Sequence, residues 1–174
     1  SIGCPAACAL PSASYRFRCS GRYFSGSLSE GVQFHEAFAA FSKSFRVEPR
    51  HYQACKTVVE ALRDLGVTEF ETEVPLSGPQ LRGVADIAGQ TTDGGFLIAD
   101  MKTTLGDFAL APKPAELIQL AAYASLLGLE RPRLVCIRLA LRHQCINVFE
   151  IERARIPNLI KLVQGHEAAT RAAA

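Results

Sequence analysis

The stretch RGVADIAGQTTDGGFLIADMKTT, residues 82–104, decides the fold of this chain. Two apolar segments, GVADIA and FLIAD, flank the turn sequence DGG at residues 93–95, which is the pattern of a β-hairpin. A loop of about three residues pairs Thr91 with Gly95 and fixes the register of the two strands. The sequence therefore predicts an antiparallel strand pair around which the other elements are arranged.

This register places three charged side chains on one face of the hairpin. Asp86 falls opposite Asp100, with the two side chains about 5 Å apart. Lys102 follows Asp100 by two residues, so the period of two of a β-strand puts both on the same face. Two opposed carboxylates repel each other unless a cation or a proton lies between them.

A divalent metal ion is one answer to that repulsion. Carboxylate oxygens suit Mg²⁺ or Mn²⁺, and a neighbouring lysine can hold or help to deprotonate a water that attacks a phosphodiester. The alternative is that these residues are solvated charges on an exposed hairpin, where Asp and Lys are common.

Asp86 followed by Asp100-Met101-Lys102 resembles the D…(D/E)xK signature of the PD-(D/E)XK nuclease superfamily. The segment IADMKTT is similar to the DxKT form of its RecB-type branch, which includes phage exonucleases. The resemblance implies that Asp86, Asp100 and the Met101 carbonyl bind Mg²⁺ or Mn²⁺, while Lys102 positions or activates the water. The chain has Asp100 where many members have Glu.

Two other segments resemble the same branch and occur in the same order. EGVQFHEAF is similar to the G…HE segment that opens these nuclease domains, which implies that His35 is a metal ligand, and imidazole is compatible with Mn²⁺. QLAAYASLLG is similar to the QxxxY motif, which implies that Gln119 and Tyr123 contact DNA or orient the site. The residues alone also allow His35 at the border of an apolar helical stripe, and Gln119 and Tyr123 at a polar helix edge.

Hydrophobic periodicity predicts the other elements. Phenylalanines spaced by four, three and four residues predict a helix from Gly31, and a second helix is expected at about 51–65. Residues 69–76 alternate as a half-buried strand. The resemblance implies that an acidic residue before the hairpin can assist at the metal, which makes Glu73 a candidate, and a solvated strand face explains it as well. A helix after Pro114, two strands from residue 131 and a helix from Pro157 complete the chain.

The order helix, helix, three strands, helix, two strands, helix predicts an α/β fold. With the resemblance, it implies a restriction-endonuclease-like core, with a central mixed β-sheet of about five strands flanked by helices. Residues 31–174 are expected to form one nuclease-like domain. Residues 1–30 are expected to form an N-terminal arm or small hairpin, whose interleaved arginine and aromatic residues either cover the core or contact a nucleic-acid strand.

Composition restricts the class of protein without selecting a partner. The chain has 174 residues, 48% of them hydrophobic, which is enough for one domain with a sizeable core. A net charge of +2 gives no polycationic signal, so phosphate contacts depend on local residues. No segment is apolar over the length of a membrane span, and the start lacks a signal-peptide pattern, so an intracellular, cytoplasmic protein without a membrane partner is expected. Candidate phosphate contacts, or scattered surface charges, are Arg131, Arg133, Arg138 and Arg142.

The six cysteines do not predict a disulfide framework. Cys55, Cys136 and Cys145 lie in apolar patterns, where a free thiol behaves as a small hydrophobe. The trio Cys4, Cys8 and Cys19 is one ligand short of a structural metal site. Some RecB-type relatives carry an iron–sulfur cluster with cysteines near the C-terminus, and no cysteine follows Cys145, so no cluster is expected.

The resemblance implies a Mg²⁺- or Mn²⁺-dependent deoxyribonuclease, an exonuclease acting on single-stranded or duplex DNA ends in repair, recombination or mobile-element processing. A helicase or recombination protein is a further candidate partner. The alternatives are a non-catalytic module that binds DNA ends, and a structure-selective or RNA-directed endonuclease on the same fold. A protein–protein adaptor would present a free apolar patch instead of a site.

Overall fold

A computed structural model describes residues 13–16, 28–79, 81–104, 111–129, 131–141 and 144–172. Within these residues the chain forms six strands and four helices, with a short 3₁₀ turn before the last helix. The strands are β1 (Ala13–Arg16), β2 (Val67–Ser77), β3 (Arg82–Thr91), β4 (Phe96–Thr104), β5 (Arg133–Ala140) and β6 (Cys145–Glu150). The helices are α1 (Leu28–Ser44), α2 (Pro49–Asp64), α3 (Pro114–Leu126) and α4 (Ile156–Ala172).

The strands form one mixed sheet in the order β1-β6-β5-β4-β3-β2. All neighbours are antiparallel except β4 and β5, which are parallel and are joined through α3. The predicted α/β class, the order of elements and the flanking helices are confirmed, and this arrangement is consistent with a restriction-endonuclease-like core. The sheet has six strands instead of about five because β1, from the N-terminal segment, pairs with β6.

The described part of the N-terminal segment, strand β1, is therefore part of the sheet. The strand β1 pairs with β6, and the remainder of the small hairpin expected in this segment lies outside the described residues. Helix α1 begins at Leu28, so the expected boundary after residue 30 falls inside this helix.

The hairpin of β3 and β4 has the predicted register. The amide of Thr91 donates to the carbonyl of Gly95 at 3.0 Å, and pairing continues from Gln90–Phe96 to Ile87–Ala99. Gly94 in the loop has φ of +75°, a left-handed conformation that glycine adopts without steric cost. Regular pairing ends at Ile87, so the two strands part at the next residue, Asp86.

The sheet separates two hydrophobic cores. Helices α1 and α2 pack on one side, called here the α1 face, and α3 and α4 pack on the other, called the α3 face. Strand β5 alternates between them, with Val135 and Ile137 on the α1 face and Leu134 and Cys136 on the α3 face. Each fully buried aliphatic side chain contributes roughly 1.5–3 kcal/mol of transfer free energy, so both cores stabilise the sheet.

The cysteines that the structure describes behave as predicted. Cys55, Cys136 and Cys145 are buried and form no disulfide bond among the described residues. The other three cysteines lie outside the described residues. Among the described helices, none is both long enough and apolar enough to cross a bilayer.

Strands β2 and β3 change faces at the same step. Phe70 lies against Phe38 of α1, with ring centroids 6.2 Å apart, whereas Val74, four residues later, packs in the core of the α3 face. Residues an even number apart in a regular strand share one face. Glu73 between them has φ of +54°, a left-handed conformation that is uncommon outside glycine, and this reverses the alternation.

The same reversal occurs in the partner strand, where Ala85 packs on the α3 face and Ile87 on the α1 face. The pairs Thr72–Ile87 and Val74–Ala85 flank this step on either side. The ribbon of β2 and β3 therefore turns over as a unit, and Glu73 and Asp86 lie at the point of reversal.

Candidate metal centre

Three side chains from three different elements converge where the ribbon turns over. His35 of α1, Glu73 of β2 and Asp86 of β3 each offer one ligand atom, and these atoms all lie within 4.8 Å of one another. His35 Nδ1 lies 3.6 Å from Asp86 Oδ1. Ligands about 2.1 Å from a common ion lie at most about 4.2 Å apart, so small side-chain adjustments would bring the three within ligand distance.

His35 reaches the cluster because α1 packs unusually close to β4. A Cβ atom on Gly31 would overlap the hydroxyl of Thr103, so a larger residue here would force the Thr103 side chain or the start of α1 to move. Phe34 and Phe38 are fully buried, and His35 is half-buried beside them at the border of the stripe, as its position in the sequence predicted.

Asp86 is held by the backbone of β4. Its Oδ2 accepts a hydrogen bond from the amide of Met101 at 2.6 Å. This bond forms just where β3 and β4 stop pairing, so the carboxylate replaces a ladder partner. The side chain of Met101 is buried in the core of the α1 face, and its backbone amide contacts the site through Asp86. The Met101 carbonyl as a metal ligand stays a prediction.

Asp100 lies outside the cluster of three ligand atoms, contrary to the expected arrangement. It is 1% exposed, and its Oδ1 accepts a hydrogen bond from Lys102 Nζ at 2.7 Å. Its Oδ2 is buried and has no hydrogen-bond partner among the described residues. The predicted proximity of Asp100 and Lys102 is thus observed, whereas Glu73, and not Asp100 as expected, forms the cluster with Asp86.

Asp86 and Asp100 do not face each other because the pairing of β3 with β4 stops before it reaches them. The predicted pairing of Asp86 with Asp100 requires regular pairing one step beyond Ile87–Ala99, and pairing ends there. The carboxylate of Asp86 then meets His35 of α1. Asp100 follows the alternation of β4 and bonds to Lys102, and it is still close enough to Asp86 and to Glu116 of α3 for their charges to raise its pKa.

Burial and charge alter three pKa values here. Burial raises the pKa of Asp100, and this outweighs the opposing effect of the Lys102 ammonium. Burial lowers the pKa of Lys102, but the bond to Asp100 and its charge more than compensate, so that pKa is raised. Burial likewise lowers the pKa of His35, and the carboxylates of Asp86 and Glu73 reverse this and raise it. Lys102 is therefore a firmly held cation.

A buried ion pair lies behind Asp100 on the α3 face. Arg138, which pairs in register with Lys102, forms an ion pair with Glu116 in the first turn of α3. Glu116 also accepts a hydrogen bond from the amide of Lys113 at 2.8 Å and so caps the start of the helix. This pair ties α3 to the strand beside the site.

Two of the arginines near the last two strands form contacts within the protein. Arg133 makes two hydrogen bonds to Glu150, at 2.8 and 2.9 Å, and a third to the carbonyl of Leu65. Arg138 is buried, Arg131 is exposed, and Arg142 lies outside the described residues. Two of the four candidate phosphate contacts are thus engaged within the protein.

Gln119 and Tyr123 form a hydrogen-bonded pair on α3. Gln119 Nε2 donates to Tyr123 Oη at 2.6 Å. The ring of Tyr123 packs against Gly83, where a Cβ atom would overlap it. Tyr123 is also close enough to Lys102 to influence its pKa. The pair therefore lies on the Lys102 side of the site.

A cleft of about 730 Å³ opens over the cluster. Its lining includes four of the predicted site residues, His35, Asp86, Met101 and Lys102, together with Glu73. Asp100, Gln119 and Tyr123 are not part of this lining. The signal that identifies Glu73 from the sequence is its register: the pairing of β2 with β3 places it at the level of Asp86.

No protein-family model matches this chain. No curated protein is significantly similar to it. A solved structure described as "Crystal structure of SSO0001" matches with 19% identity and a TM-score of 0.34, over 75% of this chain and 71% of that chain. Similarity at this level supports no argument about function.

Proposed function

We propose that this protein is a metal-dependent DNA nuclease, and specifically an exonuclease that acts on DNA ends. The observation that carries the proposal is the shared cleft of an imidazole, two carboxylates and the Lys102 ammonium. The choice of DNA and of exonuclease action rests on the resemblance of the sequence motifs to the RecB-type branch.

The donor set of the cluster fits Mg²⁺ or Mn²⁺. Two carboxylates supply the hard oxygen ligands that both ions prefer, and one imidazole is compatible with Mn²⁺. Asp86 is suited to this role, because the Met101 amide fixes one carboxylate oxygen and leaves Oδ1 facing His35. A bound ion would supply a water of lowered pKa and neutralise phosphate charge.

Lys102 acts as a cation in this proposal. A lysine whose pKa is raised keeps its proton near neutral pH and is a poor general base. Its ammonium can instead orient the attacking water and stabilise the negative charge that develops on the phosphoryl oxygens. Asp100 is then a positioning residue, because its buried carboxylate fixes Nζ at 2.7 Å.

The first test is Mg²⁺- or Mn²⁺-dependent degradation of linear single- and double-stranded DNA. Replacement of Lys102 by alanine should lower the rate by about 10²–10³-fold, the usual loss on removal of a group that stabilises transition-state charge. Lys56→Ala, at an exposed lysine on α2, is the matched control and should retain full activity. Undiminished activity of Lys102→Ala would refute the mechanism.

One observation favours a second candidate, a non-catalytic module that binds DNA ends. The hydrogen bond between Asp100 and Lys102 engages both side chains with each other, as in a structural ion pair. That module would bind DNA without a metal and would cleave no substrate under any divalent ion. Circular DNA and RNA oligomers separate the exonuclease from the structure-selective or RNA-directed endonuclease, since only the endonuclease cuts them.

A further inference from the structure

The outer half of the β2–β3 ribbon has an exposed face beyond the point of reversal. Two register pairs, Pro75–Val84 and Ser77–Arg82, carry this face, and all four residues are exposed. The four residues are called here the ribbon track. Val84 is 43% exposed, a large fraction for an apolar residue in a strand of the sheet.

The ribbon track points away from α3 and toward the side of the metal cluster. A Cβ atom on Gly83 would meet the ring of Tyr123, and Ala85 packs in the core of the α3 face, so alternate residues of β3 face the other way. The carboxylate of Asp86 lies on that other side, beside His35 of α1. The track is therefore continuous with the cluster along β3.

The distances between the ribbon track and Asp86 fit a substrate that is a polymer. At about 3.3 Å per residue, Val84 lies about 7 Å from Asp86 and Arg82 about 13 Å from it. A small-molecule substrate would be held within the cleft, whereas a nucleic-acid strand extends beyond the group that reacts.

The charges that line the cleft favour a DNA contact outside it. Its lining carries Glu36, Glu73 and Asp86 against the single ammonium of Lys102 and the imidazole of His35. This surface attracts a polyanion poorly without a bound metal. The guanidinium of Arg82 forms no ion pair with any other described side chain, so it is free to contact a phosphate.

On the basis of the proposed function, we propose that the ribbon track binds the single strand of DNA that is cut. Arg82 pairs with a backbone phosphate, and Val84 with Pro75 packs against an unpaired base or its sugar. The apolar part of the track selects a single strand, because bases within a duplex are stacked on one another and do not offer their faces.

The test is equilibrium binding of a fluorescein-labelled single-stranded 15-mer of DNA in EDTA, over a series of salt concentrations. Arg82→Ala should reduce the slope of log affinity against log salt concentration by about 0.7, the contribution of one phosphate contact on a single strand. Val84→Ser should lower affinity roughly threefold with an unchanged slope, as expected from losing part of a valine's apolar burial. Arg63→Ala, at an exposed arginine near the opposite end of the sheet, is the control and should alter neither quantity.

The outcomes separate this inference from the proposed function. An unchanged slope for Arg82→Ala, or an equal change for Arg63→Ala, would refute DNA binding by the ribbon track. The proposed nuclease function would still hold if the wild type cleaves DNA in the presence of metal. Absence of wild-type binding in EDTA also overturns the track. If the wild type in addition cleaves no DNA with Mg²⁺ or Mn²⁺, the proposed function fails as well. Circular dichroism of each variant establishes that it is folded.

Discussion

Replacement of Gly31 by alanine should separate the stability of α1 from the binding of metal. Alanine favours a helix over glycine by about 0.8–1 kcal/mol, so the helix itself gains. The new methyl group, however, overlaps the Thr103 hydroxyl on β4. Carbon and oxygen atoms in contact prefer a separation of roughly 3.5 Å, and restoring it displaces the start of α1 by about 1 Å.

His35 lies one helical turn after Gly31 and moves with it. Binding constellations tolerate displacements of about 0.5 Å, and a shift of about 1 Å can reduce function by about 10²-fold. Isothermal titration with Mn²⁺ should therefore give an affinity about 10–100-fold lower for Gly31→Ala than for the wild type. Overpacking costs about 1–3 kcal/mol and is partly offset by helix propensity, so thermal unfolding should shift by only a few degrees.

A second substitution, Thr103→Ala, tests whether the loss of affinity arises at the contact between residue 31 and Thr103. Thr103→Ala removes the atom that the new methyl group meets, so the double variant Gly31→Ala/Thr103→Ala should recover Mn²⁺ affinity to within about threefold of Thr103→Ala alone. Wild-type affinity in Gly31→Ala would refute the close seating of α1. A double variant no better than Gly31→Ala would show that the loss does not arise at this contact.

Three further predictions concern the cluster and its support. Glu73→Gln should lower Mn²⁺ affinity at least about tenfold in the same titration, whereas Glu71→Gln, at an exposed residue of the same strand, should leave it unchanged. Arg138→Met leaves the largely buried Glu116 carboxylate without its counter-ion, so urea denaturation should give a free energy of unfolding about 3–5 kcal/mol lower. The double variant Glu116→Met/Arg138→Met should recover most of this loss. Because the pKa of His35 is raised and a metal binds only the neutral imidazole, Mn²⁺ affinity should fall about tenfold per pH unit below that pKa; a His35→Gln variant with the same profile would contradict this.

The hairpin was predictable because its determinants are local. The sequence DGG allows a short loop with a left-handed residue, and Gly94 adopts that conformation. Once Thr91 pairs with Gly95, the register follows as far as Ile87–Ala99, and the period of two along β4 places Asp100 and Lys102 on one face. Nothing outside residues 82–104 was needed.

The ligand set was less predictable because it depends on an irregularity without a local signal. A glutamate at φ of +54° is not expected from its residue type, yet Glu73 in this conformation reverses the alternation of β2. The sixth strand was missed as part of the sheet for a different reason. The pairing of β1 with β6 joins residues more than 100 positions apart, such as Ala13 and Val148, and no short-range pattern specifies it.

The division of the candidate site between two cores has a consequence for its response to heat. His35 depends on the packing of the α1 face, while Lys102 depends on Asp100 and on the Glu116–Arg138 pair of the α3 face. Cooperative units of a protein often open separately below the global transition. Warming that loosens the packing of the α1 face should therefore weaken metal binding, whereas warming that loosens the α3 face should first lower the rate of cleavage. Metal binding and cleavage need not be lost at the same temperature.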